Sequence, residues 1–242
     1  MVARHSPHIE QDKPQGLKPI TTVLVGLLIL IGILMIAKSS SRLMPVRDIS
    51  LHGSFQYANQ QKLQNIIDKA ADVGFLAIDL PQTQAAMEQL PWIKAVKIER
   101  IWPDSLRVYV TEKTAYLRLG NDKLVSVGGV VFSPASTQQF SNLPLLDINK
   151  AYTPELFRMY REMEYSLAQN GYELKQFHIN QHGEWALDLN QDIHIEIGRN
   201  KPFTVFKRFI AVFPNLGDER INHLKSIDLR YENGFAIGFS DQ

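Results

Sequence analysis

Hydrophobic and polar positions split this 242-residue chain into one unbroken apolar run and a long tract of short amphipathic segments. The run is Ile20 to Ala37, ITTVLVGLLILIGILMIA, with no charge between Lys18 and Lys38. At about 1.5 Å per residue it predicts a helix of roughly 27 Å, near the thickness of a bilayer's hydrocarbon core. Apolar residues fall on every face, which excludes an amphipathic surface helix. A cleaved signal peptide has a shorter run and a small-x-small cleavage site. Here the exit is Met35-Ile36-Ala37-Lys38, so an uncleaved anchor is the favoured reading over a signal peptide or a buried core helix.

Beyond the run the period changes. Val46 to Leu51 is a strand candidate closed by His52-Gly53. Asn59 suits a helix N-cap ahead of Leu63, Ile66, Ile67 and Ala70, and Gly74 ends that helix. A second helix begins near Asp79-Leu80-Pro81, presents Ala86, Met87 and Leu90, and stops at Pro91. Two strands follow. Trp92 to Arg100 alternates at Val96 and Ile98, and Leu106, Val108 and Val110 share one face after the turn Trp102 to Ser105. Two helices on one face of a small three-stranded sheet would bury it.

The remainder reads as strand-rich with two helices. Leu124 to Phe132 predicts a hairpin with a glycine turn, and Asn142 to Asp147 a short buried crossing. Pro154 opens a helix carrying Leu156, Phe157, Tyr160, Met163 and Leu167. Strands are expected over 174–179, 185–189 and 193–197, then a helix from Pro202 with Val205, Phe206, Phe209, Ile210 and Phe213 that stops at Pro214. The chain closes on a hairpin, Ser226 to Tyr231 and Phe235 to Phe239, around Glu232-Asn233-Gly234. The fold class is α+β. The expected divisions are a tail over 1–19, a transmembrane helix over 20–37, a first folded unit over 44–112 and a second over 113–242.

Composition narrows the function. With 26 basic and 25 acidic residues the chain lacks the basic excess of a nucleic-acid binder. It has no cysteine, which excludes a disulfide scaffold and fits either side of a membrane. Pro7, Pro14, Gly16 and Pro19 among polar neighbours predict a disordered leader. Arg4, Lys13 and Lys18 balance Lys38, Arg42 and Arg47, so charge does not set orientation across a membrane. His178 and His182 are four apart, but on a strand and its turn that spacing makes no helical metal pair. No Gly-x-Ser-x-Gly elbow, P-loop or dinucleotide fingerprint occurs. Nothing points to catalysis or to a small-molecule substrate.

The order of the first folded unit resembles the POTRA module. Leu90-Pro91-Trp92-Ile93 leads into Val96, and Arg100-Ile101-Trp102-Pro103-Asp104-Ser105-Leu106 forms the hairpin into the last strand. The whole chain resembles the FtsQ/DivIB family of bacterial cell-division proteins. The likeness is carried by Ile197-Gly198-Arg199 with Lys207-Arg208-Phe209, and by Ile227-Asp228-Leu229-Arg230-Tyr231 through Gly234-Phe235-Ala236-Ile237-Gly238-Phe239. Thr114-Ala115 replaces a usual proline, and Phe239 stands where a tryptophan variant occurs.

The resemblance implies a non-enzymatic divisome scaffold at the septum with no cofactor. It implies a single-pass inner-membrane protein, its amino terminus cytoplasmic and its bulk periplasmic. It further implies that the terminal hairpin edge binds the FtsB–FtsL pair and that the POTRA module meets other divisome proteins. The partner-binding residues expected are Arg199, Arg230, Tyr231, Asn233, Gly234, Gly238 and Phe239. Tyr231 is expected to share a face with Ile227 and Leu229, and Gly238 to admit an added strand closely. A POTRA-containing assembly or secretion factor of the outer membrane is the alternative. It would need at least about eight membrane strands, which the segment after Glu112 is too short to supply.

Overall fold

The computed structural model describes residues 19–40, 44–213, 224–232 and 234–239. The leader before Pro19 and Asn233 lie outside the described residues. The first element is helix α1, Pro19–Ser40. Its described side chains, Val23 to Met35, are almost all exposed. Among the described residues no helix is long and apolar enough to cross a membrane.

The first folded unit begins with β1, Asp48–His52, followed by α2, Gln60–Ala71, and α3, Leu80–Glu88. It ends with β2, Ile93–Ile101, and β3, Ser105–Glu112. Both helix starts are set by side-chain caps. Asn59 accepts from the Lys62 amide at 3.0 Å and Asp79 from the Gln82 amide at 2.9 Å, each satisfying a donor that has no partner within its helix. The sheet order is β1-β3-β2, with β1 parallel and β2 antiparallel to β3. Leu63, Ile67, Phe75 and Met87 pack on Val96, Ile98, Leu106, Val108 and Val110 to make its core. Thr83, in the α3 face turned inward, keeps its hydroxyl satisfied by donating to the Asp79 carbonyl at 2.7 Å.

The second unit is one nine-stranded mixed sheet. Its strands are β4 Ala115–Leu119, β5 Lys123–Ser126, β6 Val131–Phe132, β7 Leu145–Ile148, β8 Leu174–Ile179, β9 Trp185–Leu189, β10 His194–Gly198, β11 Leu224–Asp228 and β12 Ala236–Phe239. The order across the sheet is β12-β11-β10-β9-β8-β7-β4-β5-β6. Short turns join the antiparallel neighbours. Parallel neighbours need a long crossover. Helix α4, Pro154–Ala168, supplies one between β7 and β8, and α5, Pro202–Val212, lies between β10 and β11. Their apolar sides, Leu156, Tyr160, Met163 and Leu167 with Phe206 and Phe209, cover one face of the sheet and form a single core with it. The crossing expected near Asn142 to Asp147 is therefore β7, an interior strand paired on both sides.

Only Lys113 and Thr114 separate β3 from β4, and an aromatic cluster fixes the joint. The Glu112 carboxylate accepts from the amides of Gln56, Tyr57 and Ala58 at 3.2, 3.1 and 2.6 Å. This holds Tyr57 where it stacks on Trp92 at 4.4 Å. Trp92 meets Phe132 edge-on at 4.9 Å and Phe140 at 5.4 Å. The Lys113 ammonium donates to the carbonyls of Pro91 and Ile93 at 2.8 and 2.6 Å. Buried aromatic area combined with satisfied polar groups makes the two units one body rather than beads on a linker.

A candidate partner edge beside a cationic groove

The two strands that end the described chain position this site. β11 lies parallel to β10, with His194 opposite Ser226, Ile195 opposite Ile227 and Glu196 opposite Asp228. Beyond the strand the Leu229 amide still donates to the Glu196 carbonyl at 2.7 Å, so the chain follows β10 for one more residue and buries Leu229. It then turns outward. Arg230 folds back and donates to Asp228 three times: from its backbone amide at 3.0 Å, and from Nε and Nη2 at 2.9 and 2.6 Å. This hydrogen-bonded guanidinium holds the Asp228 carboxyl below the usual carboxylate range. The Arg230 stem lies over Gly198, where a Cβ would come within 3.0 Å of Arg230 Cγ. Gly198 also has φ +84°, so both conformation and space require glycine there.

Arg199, Lys201 and Arg208 gather beside Arg230 and Tyr231 around a groove of about 470 Å³, with Glu184 and Glu232 on its wall. Among the described residues Arg199, Lys201 and Arg208 form no ion pair, whereas Arg230 is already bound to Asp228. A second hollow of about 300 Å³ continues from it along α5, with Val205, Phe209, Val212, Leu229 and Phe235 supplying apolar wall. A cationic mouth leading into an apolar trough suits a peptide with acidic and aliphatic side chains.

Gly234 and Phe235 of the second hollow lead into β12, the outermost strand of the sheet among the described residues. It pairs with β11 on one side, Ile237 opposite Ile227 and Gly238 opposite Ser226, and with no strand on the other among the described residues. An edge strand with unpaired backbone groups can template a further strand. Ile237 turns to the core, while Phe239 is 48% exposed.

The structure brings Arg199, Arg230 and Tyr231 together on the groove and leaves Gly234, Gly238 and Phe239 on the adjoining loop and edge. Two local readings change. β11 ends at Asp228, so Tyr231 does not continue the face of Ile227 and Leu229; it is 57% exposed while those two are buried. Gly238 faces Ser226 of β11, and a Cβ there would meet the Ser226 hydroxyl, so a larger residue first displaces that hydroxyl within the hairpin.

Sequence reasoning missed Lys201, Asp228 and a polar row on the sheet face opposite the helices. There Asp188 of β9 bridges His178 Nε2 of β8 and His194 Nδ1 of β10, both at 2.6 Å. Glu196 takes the other nitrogen of His194 at 3.2 Å. Partial burial pushes Asp188 up and His194 down, but their hydrogen bonds outweigh it: Asp188 is held low and His194 raised. The available signal was polar residues at outward positions of three consecutive strands. Among the described residues no group of His, Asp and Glu is arranged to hold a metal.

The family model for the FtsQ-type POTRA domain matches residues 44–113, and that for the C-terminal region of the cell division protein FtsQ/DivIB matches 115–230. The chain is similar to the cell division protein FtsQ of Escherichia coli, 30% identical over 227 residues, covering 91% of this chain and 81% of that protein. It is 31% identical to that of Allochromatium vinosum over 195 residues, covering 81% and 78%. Against that of Methylomonas methanica it is 29% identical over 193 residues, covering 80% and 78%.

Proposed function

This chain belongs to the FtsQ/DivIB family of cell-division proteins, and we propose that it is a single-pass inner-membrane scaffold holding the FtsB–FtsL pair along β12 and the adjoining groove. A role in the divisome follows from membership, as does the absence of enzymatic work. The finer reading has residues 1–19 as a cytoplasmic tail and 20–37 as the anchor. Residues 44–112 form the POTRA domain, which other divisome proteins recruit, and 113–242 the periplasmic strand-rich domain. Support for the anchor comes from the uncharged run inside α1. Because long domains translocate largely regardless of charge, the orientation rests on the family.

The single observation that carries the partner reading is an outermost strand near a groove whose Arg199, Lys201 and Arg208 form no ion pair among the described residues. An added strand gains backbone hydrogen bonds from β12, while Arg199 engages an acidic side chain and Tyr231 covers it with apolar area. Tyr231 is exposed and Arg199 free of ion pairs among the described residues, so changing either leaves the fold intact. Titration of the full chain in detergent with the periplasmic parts of FtsB and FtsL tests this. Arg199→Glu and Tyr231→Ala each weaken binding by roughly thirty-fold, with the thermal midpoint unchanged. Unchanged binding, or a loss that only tracks lost folding, places the interface elsewhere.

A further inference from the structure

Three of the four exposed large hydrophobic side chains described in the first folded unit, all but Tyr109, lie toward one pole. Val73 and Leu76 are 50% and 51% exposed, and Trp102 is 66% exposed. Three contacts make these one surface. The Phe75 amide donates to the Met44 carbonyl at 2.8 Å, joining the loop after α2 to the first residues of the unit. Trp102 lies edge-on over buried Phe75 at 5.3 Å. The Arg47 amide donates to the Asp104 carbonyl at 2.9 Å, tying the β2–β3 turn to the same entry segment. Arg100 braces the loop from beneath, donating to the carbonyls of Phe75 and Ile78 at 3.1 and 2.7 Å.

This pole is also where the chain arrives from α1. Ser40 and Met44 are four Cα steps apart, a reach of at most about 15 Å. We propose that the pole formed by Val73, Leu76 and Trp102 rests on the bilayer surface, with the indole and the two aliphatic side chains in the headgroup layer. The inference rests on the reading of α1 as a membrane anchor. Tryptophan favours that layer because its ring is apolar and its N–H seeks a polar partner. Among the described residues the Trp102 indole N–H donates no hydrogen bond. Arg47, its side chain 78% exposed, pairs Asp104 at 3.4 Å, so the turn shows the surface no bare carboxylate there. Since the aromatic joint at Trp92 makes the two units one body, seating this pole fixes the height and direction of β12 above the membrane.

The chain has no cysteine, so one introduced thiol labels one place. The full chain carrying Leu76→Cys, labelled with a polarity-sensitive fluorophore, is reconstituted in phosphatidylcholine–phosphatidylglycerol vesicles containing a lipid spin-labelled near the headgroup. Tyr165→Cys, at an exposed position on α4, is the control, and Val73→Cys repeats the measurement should Leu76→Cys fold poorly. Label at the pole emits to the blue and is quenched several-fold more than the control, and adding Trp102→Ser removes most of that difference. A chain that floats with the vesicles and resists carbonate extraction, yet shows equal quenching at both positions, overturns the proposal while leaving the anchor standing. A chain that does not float with them overturns both.

Discussion

Each sheet has two outermost strands among the described residues, β1 and β2 in the first and β6 and β12 in the second, and the molecule treats β2 and β12 differently. At the β2 edge of the first unit, α3 closes the outward backbone. Gln84 Nε2 donates to the Val96 carbonyl at 3.1 Å, and Glu88 accepts from the Val96 amide at 3.0 Å. A strand arriving there would have to displace both side chains. At β12 no such cover exists among the described residues, and the neighbouring surface is a cationic groove with an exposed tyrosine. Proteins routinely blunt edges that would otherwise recruit strands at random. Of these two edges β2 is guarded and β12 is left open among the described residues, a contrast that fits the partner edge proposed at β12.

The comparison presumes that both edges belong to one body, and the largest effect expected is from breaking that. Trp92→Ala removes the centre of the aromatic joint and lowers stability by about 3–5 kcal/mol, read by chemical denaturation of the full chain. A single cooperative transition should split in two as the units come apart. Next is the groove near the open edge: Tyr231→Ala costs about 2 kcal/mol of FtsB–FtsL binding with no change in thermal midpoint. Arg230→Glu and Gly238→Val are poorer probes. The first sets a carboxylate against Asp228 and the second drives a side chain into Ser226, so both lower the midpoint as well.

Opening the guarded edge comes third. Glu88→Ala removes the acceptor of the Val96 amide and lowers stability by about 0.5–1.5 kcal/mol, since water reaches the freed amide. Together with Gln84→Ala it also exposes a pairing edge, so self-association rises on sedimentation while FtsB–FtsL binding is unaltered.

The smallest effect concerns the polar face between the edges. The folded His194 imidazole titrates above its usual 6.5, despite partial burial, because Asp188 and Glu196 bind its protonated form. Its contribution to stability is therefore complete below 6.5 and lost as pH rises through the raised value. Asp188, held below its usual 3.8, acts oppositely, and its contribution is lost as pH falls through the lowered value. Denaturation across pH should show stability declining on the alkaline side of 6.5, and His194→Gln should flatten that limb. An unaltered slope shows that the pair is not coupled to folding.

Most elements were legible because local rules and burial agreed. Asn59 capped where it was expected, the second helix started beside Asp79 as expected, and Leu106, Val108 and Val110 faced inward together as their alternation required. The terminal hairpin was less legible. Tyr231 continues an alternating pattern, but the Arg230–Asp228 clasp ends the strand first, and a clasp between residues two apart carries no periodic signal. Trp102 stands in the turn where the sequence places it, but its contact with buried Phe75 while it stays open to solvent carries no sequence signal. The Asp188 bridge needed the strand order, since its histidines lie on different strands and meet only through register. The edge position of β12 likewise depends on topology and not on its own residues.

Hydrogen exchange of the full chain, with and without FtsB–FtsL, compares the two edges in one measurement. Binding should slow exchange of the β12 amides and of the Leu229 to Glu232 loop, with β2 unchanged. Protection that appears along β2, or binding that leaves β12 exchanging as freely as before, would contradict the assignment of β12 as the open edge.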